Sequence, residues 1–208
     1  MILLGMIMGL LVLQPILSEF VAVRILINIF LTAICLSMVN AISSKKMYAI
    51  VGIFLAVLML ASIWVQYIHT NRTVEAVGML AGGLFTVVVI SSLLDFIRKS
   101  ETVNREVIYA AILLYLLLAL MWAFLYTFLE WVDPASFEID LGQAQSNFAA
   151  LKYYSFVTIT TLGYGDIVPV TEVAKAFAVL EAVVGQLYLV VAVAWLVGMH
   201  VSRKSSRT

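Results

Sequence analysis

Residues 158–166 read TITTLGYGD, which puts two glycines, a tyrosine and a carboxylate between two long apolar runs of a 208-residue chain. The chemistry such a stretch offers lies in its backbone. Gly163 and Gly165 can adopt conformations closed to other residues and so turn successive carbonyls toward one axis. A ring of carbonyl oxygens can replace the water shell of a dehydrated cation. Backbone without helical hydrogen bonds is tolerated at membrane depth only where it is buried in protein or lines a watery path. The stretch therefore predicts a lined route for a cation.

The elements that must position it follow from composition. Hydrophobic residues make up 64% of the chain and charged residues 12%, with a mean hydropathy of +1.10. These values belong to an integral membrane protein. A span needs roughly 20 apolar residues, and apolar runs occur at 2–17, 20–42, 47–68, 74–97, 107–131 and 173–201. Six membrane-crossing helices are predicted, the first a retained span since MILLGMIMGLLVLQP lacks the basic start of a secretory signal. Between the last two runs, SNFAALKYYSFVTITT begins with Ser146 and Asn147, both good helix caps, and is too short to cross. It predicts a re-entrant helix that dips into the bilayer and delivers the glycine stretch on the way back.

Other chemistries find no support. His69 and His200 fall on opposite sides, the lone Cys35 sits in an apolar run without a histidine partner, and no metal-ligand cluster is present. No enzyme is predicted, no organic cofactor and no nucleic-acid partner. With the N-terminus cytoplasmic, Lys45, Lys46, Arg98, Lys99, Arg105, Arg203, Lys204 and Arg207 lie inside, and Arg24, Arg72, Lys152 and Lys175 toward the outside. This bias predicts both termini in the cytoplasm. Glu19, Glu75, Glu130, Asp133, Glu138, Asp140, Asp166 and Glu172 then give the outer mouth a negative field. Trp64, Tyr67, Trp122, Tyr126 and Trp131 read as an interfacial aromatic belt, and Gly78 and Gly82 as a close-packing surface. Glu181 is the one ionisable residue deep in the last run, predicted to brace the pore helix through partners on that helix or on a neighbouring subunit, with a pH sensor as the alternative.

Thr161-Leu162-Gly163-Tyr164-Gly165-Asp166 resembles the selectivity filter of potassium channels, whose pattern is Thr-Val-Gly-Tyr-Gly-Asp. The resemblance spans residues 105–208, and Leu162 in place of valine is its one departure. It implies potassium ions as the permeant species, bound at Thr161, Leu162, Gly163 and Tyr164, with Gly165 completing the filter. It also implies a homotetramer in the plasma membrane, since one chain supplies one filter segment of four. The family's filter carboxylate bonds an aromatic donor on the pore helix; Asp166 and Tyr153 hold those places. Val157 stands where some bacterial channels keep a glutamate, and Gly185, twenty residues after Gly165, matches the glycine at which many inner helices bend. Gln186, Leu189, Val193 and Val197 would then line the cavity.

The expected organisation is an all-α membrane protein. Residues 1–104 form a four-helix domain, and residues 105–208 a pore domain with outer helix 105–132, pore helix 147–160, filter 161–166 and inner helix 172–202. The fourth run has no basic residue between Arg72 and Arg98, so the chain lacks the charge ladder of voltage-gated relatives with the same layout. A weakly selective cation channel is the alternative, and a potassium-transporter subunit a more distant one. The gating stimulus and any regulatory partner are not legible; membrane lipid surrounds the chain.

Overall fold

The computed structural model of the protein describes residues 46–68, 71–100, 102–139 and 147–205, together with residues 4, 5, 8, 9 and 29. Apart from those few positions, the first two predicted spans lie outside the described residues, as do Arg24 and Cys35. The rest is built from five helices and a short ribbon: α1 (Lys46–Ile68), α2 (Arg72–Lys99), α3 (Arg105–Val132), β1 (Phe137–Ile139), α4 (Asn147–Ile159), β2 (Ile167–Pro169) and α5 (Glu172–Ser205). Among the described residues, α1, α2, α3 and α5 are long and apolar enough to cross a membrane, and α4 is not.

Helix ends are set by local chemistry. Asn71 caps α2, its Oδ1 accepting from the Thr73 N–H at 2.9 Å, with Glu75 in the first turn and Arg98 and Lys99 in the last, each charge matched to the helix dipole. Asn104 caps α3 the same way through the Val107 N–H, also at 2.9 Å. At the start of α5, Thr171 Oγ1 accepts from the Ala174 N–H, and Lys175 pairs with Glu172 at 2.9 Å.

Two apolar cores share α3. One side of its first half packs with α1 and α2 around Met59, Phe85, Val89, Leu114 and Leu117. Its second half packs with the pore helix α4 around Trp122, Tyr126, Leu151, Tyr154 and Ile159. The glycine pair of α2 makes the first core possible: a Cβ on Gly78 would collide with Ser62 of α1, and one on Gly82 would come within 2.6 Å of the Phe124 ring of α3.

The described part is all-helical apart from one short ribbon: β1 and β2 pair antiparallel, Phe137 opposite Pro169 and Ile139 opposite Ile167, tying the segment before α4 to the segment after residue 166. Three readings are corrected by the structure. Trp122 and Tyr126 are buried in the second core and form no belt, because their rings turn inward, Trp122 onto Phe177 of α5 and Tyr126 onto Phe137 of β1 and Tyr154 of α4. Glu130 is not part of an exposed outer field; it is buried, and its Oε2 accepts the Phe137 N–H that opens β1. Lys152, read as an outer-side cation, is buried within α4.

Candidate functional site

The short helix α4 runs directly into residues 161–166, the stretch read from the sequence as a filter. Its last turn is closed by two reverse bonds, the Thr161 N–H to the Thr158 carbonyl and the Leu162 N–H to the Val157 carbonyl, both at 2.9 Å. This is the Schellman pattern, and it requires a left-handed residue at its turn, a place glycine usually fills. Here Thr161 fills it, with φ of 58°. A β-branched residue in that region costs of order 1–3 kcal/mol and persists only where its surroundings impose it.

The same handedness then recurs at every second position. Gly163 has φ of 58° and Gly165 of 77°. In ordinary extended chain successive carbonyls point to opposite sides; reversing the sign of φ at alternate residues brings them to one side. Nothing lies within 4 Å of where a Cβ would stand on either glycine. Conformation and not crowding is therefore what requires glycine there. Leu162 and Tyr164 are exposed in the isolated chain, while the Thr161 hydroxyl donates to the Thr160 carbonyl at 2.7 Å and keeps its lone pairs available. Val157, singled out in the sequence for its side chain, acts through its backbone: its carbonyl accepts from both Leu162 and Gly163.

At the outer end, the Tyr153 hydroxyl donates to Asp166 Oδ2 at 2.7 Å, and Asp166 Oδ1 accepts the Ile167 N–H at 3.1 Å. One carboxylate thus joins the pore helix to the first residue of β2. Its hydrogen bond pushes the Tyr153 phenol up to about 12, so the tyrosine remains a donor at any ordinary pH.

Behind the filter, Glu181 of α5 is fully buried. Its Oε2 accepts from the Tyr126 hydroxyl of α3 at 2.6 Å, and its Oε1 lies 2.5 Å from the Ser155 hydroxyl of α4. Three helices therefore meet at one carboxyl group. A second junction forms at Ile159, whose carbonyl accepts from the Tyr115 hydroxyl at 3.0 Å. Gly185 faces the same residue: a Cβ there would stand 2.6 Å from Ile159 Cγ1 and 2.8 Å from its carbonyl oxygen. The helix runs unbroken through Gly185. Tyr188 adds a third tie, donating to the Ala111 carbonyl at 2.6 Å and stacking on Tyr115.

Glu181, Gly185, Tyr188 and Ala192 mark the face of α5 that meets the rest of the chain. Gln186, Leu189, Val193 and Val197 are all exposed and lie about 120° around the helix from that face. Of the apolar window of α5 only 11% is buried, against 50% of that of α3. Sequence reasoning missed Ser155, Tyr126, Tyr115 and Ile159 because their role depends on partners distant along the chain. The polar residues among them are hydroxyls in apolar helices, and that was the one signal available.

Residues 110–201, from α3 through α5, match a family model described as "Ion channel". Over these residues the chain is similar to ion-channel domains, which points to a passive conductor and not to an enzyme. No curated protein and no solved structure is matched by the chain.

Proposed function

We propose that four copies of this chain surround one axis and conduct potassium ions passively across the plasma membrane. The permeant ions are held in the filter by the carbonyls of Thr161, Leu162, Gly163 and Tyr164. The observation that carries this reading is the alternation of left-handed backbone at Thr161, Gly163 and Gly165, placed directly at the C-terminus of a helix too short to cross. Carbonyls on one side of a strand make half a site, and a four-fold ring of such strands makes closed oxygen cages. The carbonyl end of the pore helix, with its partial negative charge, adds to the attraction for a cation.

The bare face of α5 supports the assembly, since a helix with so little of its surface covered by its own chain has room for neighbouring copies on one side and a cavity on the other. In that arrangement Gln186 puts a polar ring below the filter, and Leu189, Val193 and Val197 line an apolar passage that gates by dewetting. Gly185 is the pivot about which the lower half of α5 moves. The distribution of Lys and Arg supports cytoplasmic termini. Reversal potentials of reconstituted protein between opposed potassium and sodium solutions test the proposal. A value close to the potassium equilibrium potential is expected, and a value near zero refutes potassium selectivity.

A further inference from the structure

The hydrogen bonds around Glu181 need more protons than its partners can supply. Three short oxygen–oxygen contacts run in series: Tyr126 Oη to Glu181 Oε2 at 2.6 Å, Glu181 Oε1 to Ser155 Oγ at 2.5 Å, and Ser155 Oγ to the Ala119 carbonyl at 2.6 Å. Each contact that short holds one proton on or near the line between its oxygens. Tyrosine brings one proton and serine one; the Ala119 carbonyl brings none. A single serine proton cannot lie on the lines to both Ala119 and Glu181. With an ionised carboxylate, one of the three contacts would set lone pairs against each other inside a dry core.

We propose that Glu181 is held as the neutral acid at pH 7 and that its own proton is the third. Glu181 Oε1–H donates to Ser155 Oγ, Ser155 donates to the Ala119 carbonyl, and Tyr126 donates to Oε2. The chain of bonds is then complete, with one direction throughout and no charge placed in the membrane interior.

The electrostatic surroundings agree. Among the described residues, the groups hydrogen-bonded to the two carboxyl oxygens are hydroxyls. The other titratable groups near Glu181 are Tyr115 of α3 and Tyr154 of α4. Further along the same helices lie Glu130, a turn outward from Tyr126, Lys152, a turn from Ser155, and the mutually paired Glu172 and Lys175 at the start of α5. A glutamate ionised here would need a cation to repay its desolvation; a protonated one needs only what is present. Glu181 is thus a positioning residue, fixing the pore helix against α3 by donating as well as accepting.

Infrared difference spectroscopy of the full chain in lipid vesicles at pH 7, where a solvated glutamate is ionised, reads this directly. The expected result is a carboxylic-acid carbonyl band that shifts on deuteration, is lost in Glu181→Gln, and rises in frequency in Tyr126→Phe, where the carbonyl oxygen loses its donor. The Tyr126→Phe shift assigns the same band independently of Glu181→Gln. Absence of such a band, or a carboxylate band assigned to Glu181 in its place, overturns the proposal. Glu181→Gln, a permanently neutral isostere with an N–H for Ser155 and a carbonyl for Tyr126, is expected to keep the thermal stability of the native protein. A large drop also overturns it. Neither readout depends on which ion the protein conducts.

Discussion

Replacing Gly185 with alanine sets two effects of known size against each other. Alanine is the better helix former by about 1 kcal/mol, so an isolated α5 would gain from the change. Against that, the new methyl would stand 2.6 Å from Ile159 Cγ1 and 2.8 Å from the Ile159 carbonyl oxygen, where ordinary contact begins at 3.4 Å. Neither neighbour yields easily. The side chain is β-branched and fully buried, and the carbonyl is held by the Tyr115 hydroxyl. Overpacking of this kind costs about 1–3 kcal/mol, and two stiff neighbours put it in the upper part of that range. The net loss is roughly 1–2 kcal/mol per copy after the helix gain, or roughly 4–8 kcal/mol for four independent sites. Thermal dissociation of the assembly in potassium-containing detergent, followed by gel mobility with helix content by circular dichroism, measures it. Gly185→Ala is expected to dissociate at a clearly lower temperature. If it is as stable as the native protein or more so, the packing argument is wrong.

Tyr153→Phe and Asp166→Asn are each expected to weaken the filter, by roughly 0.5–1.5 kcal/mol per copy given the half-exposed site, and the double variant to cost less than the sum. Additive effects on dissociation temperature or inactivation would show that the pair does not act together. Because the folded pKa of Tyr153 is raised, the brace should be complete below pH ~10 and lost as pH climbs through about 12. A loss of the Tyr153-dependent stability below pH 9 contradicts this. Leu162→Val should leave ion selectivity intact, since the position is proposed to serve through its carbonyl, whereas Gly163→Ala should impair conduction, because a second non-glycine residue beside Thr161 would then have to hold a φ of 58°; reversal potentials and single-channel currents decide both. Conductance should rise with voltage by less than about one elementary charge per subunit, because α2 carries no basic residue between Arg72 and Arg98. A steep activation curve or a transient gating current with the pore blocked would refute that.

What the sequence disclosed was whatever is local. The filter letters, the short helix before them and the long apolar runs are each written in consecutive residues, and the helices at Arg105–Val132, Asn147–Ile159 and Glu172–Ser205 lie close to their predicted bounds. What it hid depends on partners far along the chain. Glu181 was visible as an oddity, yet its partners Ser155 and Tyr126 are 26 and 55 residues away and look unremarkable in their own helices. Trp122 and Tyr126 sit where a belt would, and the order of residues does not say which way a ring turns. The ribbon eluded detection because three-residue strands carry no periodicity and Pro169 argues against a strand. Thr161 gave no sign of its left-handed backbone, since the residue type that normally signals it is glycine.

That Thr161 both caps α4 and opens the filter has a consequence for how such a motif can be inherited or transplanted. The length of the short helix acts as a ruler, because the residue that stops it is also the first of the left-handed positions on which the proposed ion path is built. Inserting one residue between Ser155 and Thr158 would leave every filter letter in place, yet would rotate the preceding turns by about 100° relative to them. Ser155 would swing away from Glu181 and Tyr153 away from Asp166, and the carbonyls would stand on an unsupported strand. The information for the proposed pathway is therefore not the six letters but their fixed offset from a serine and a tyrosine six and eight residues before Thr161. A graft that copies the letters without the offset would carry the right spelling and no pore.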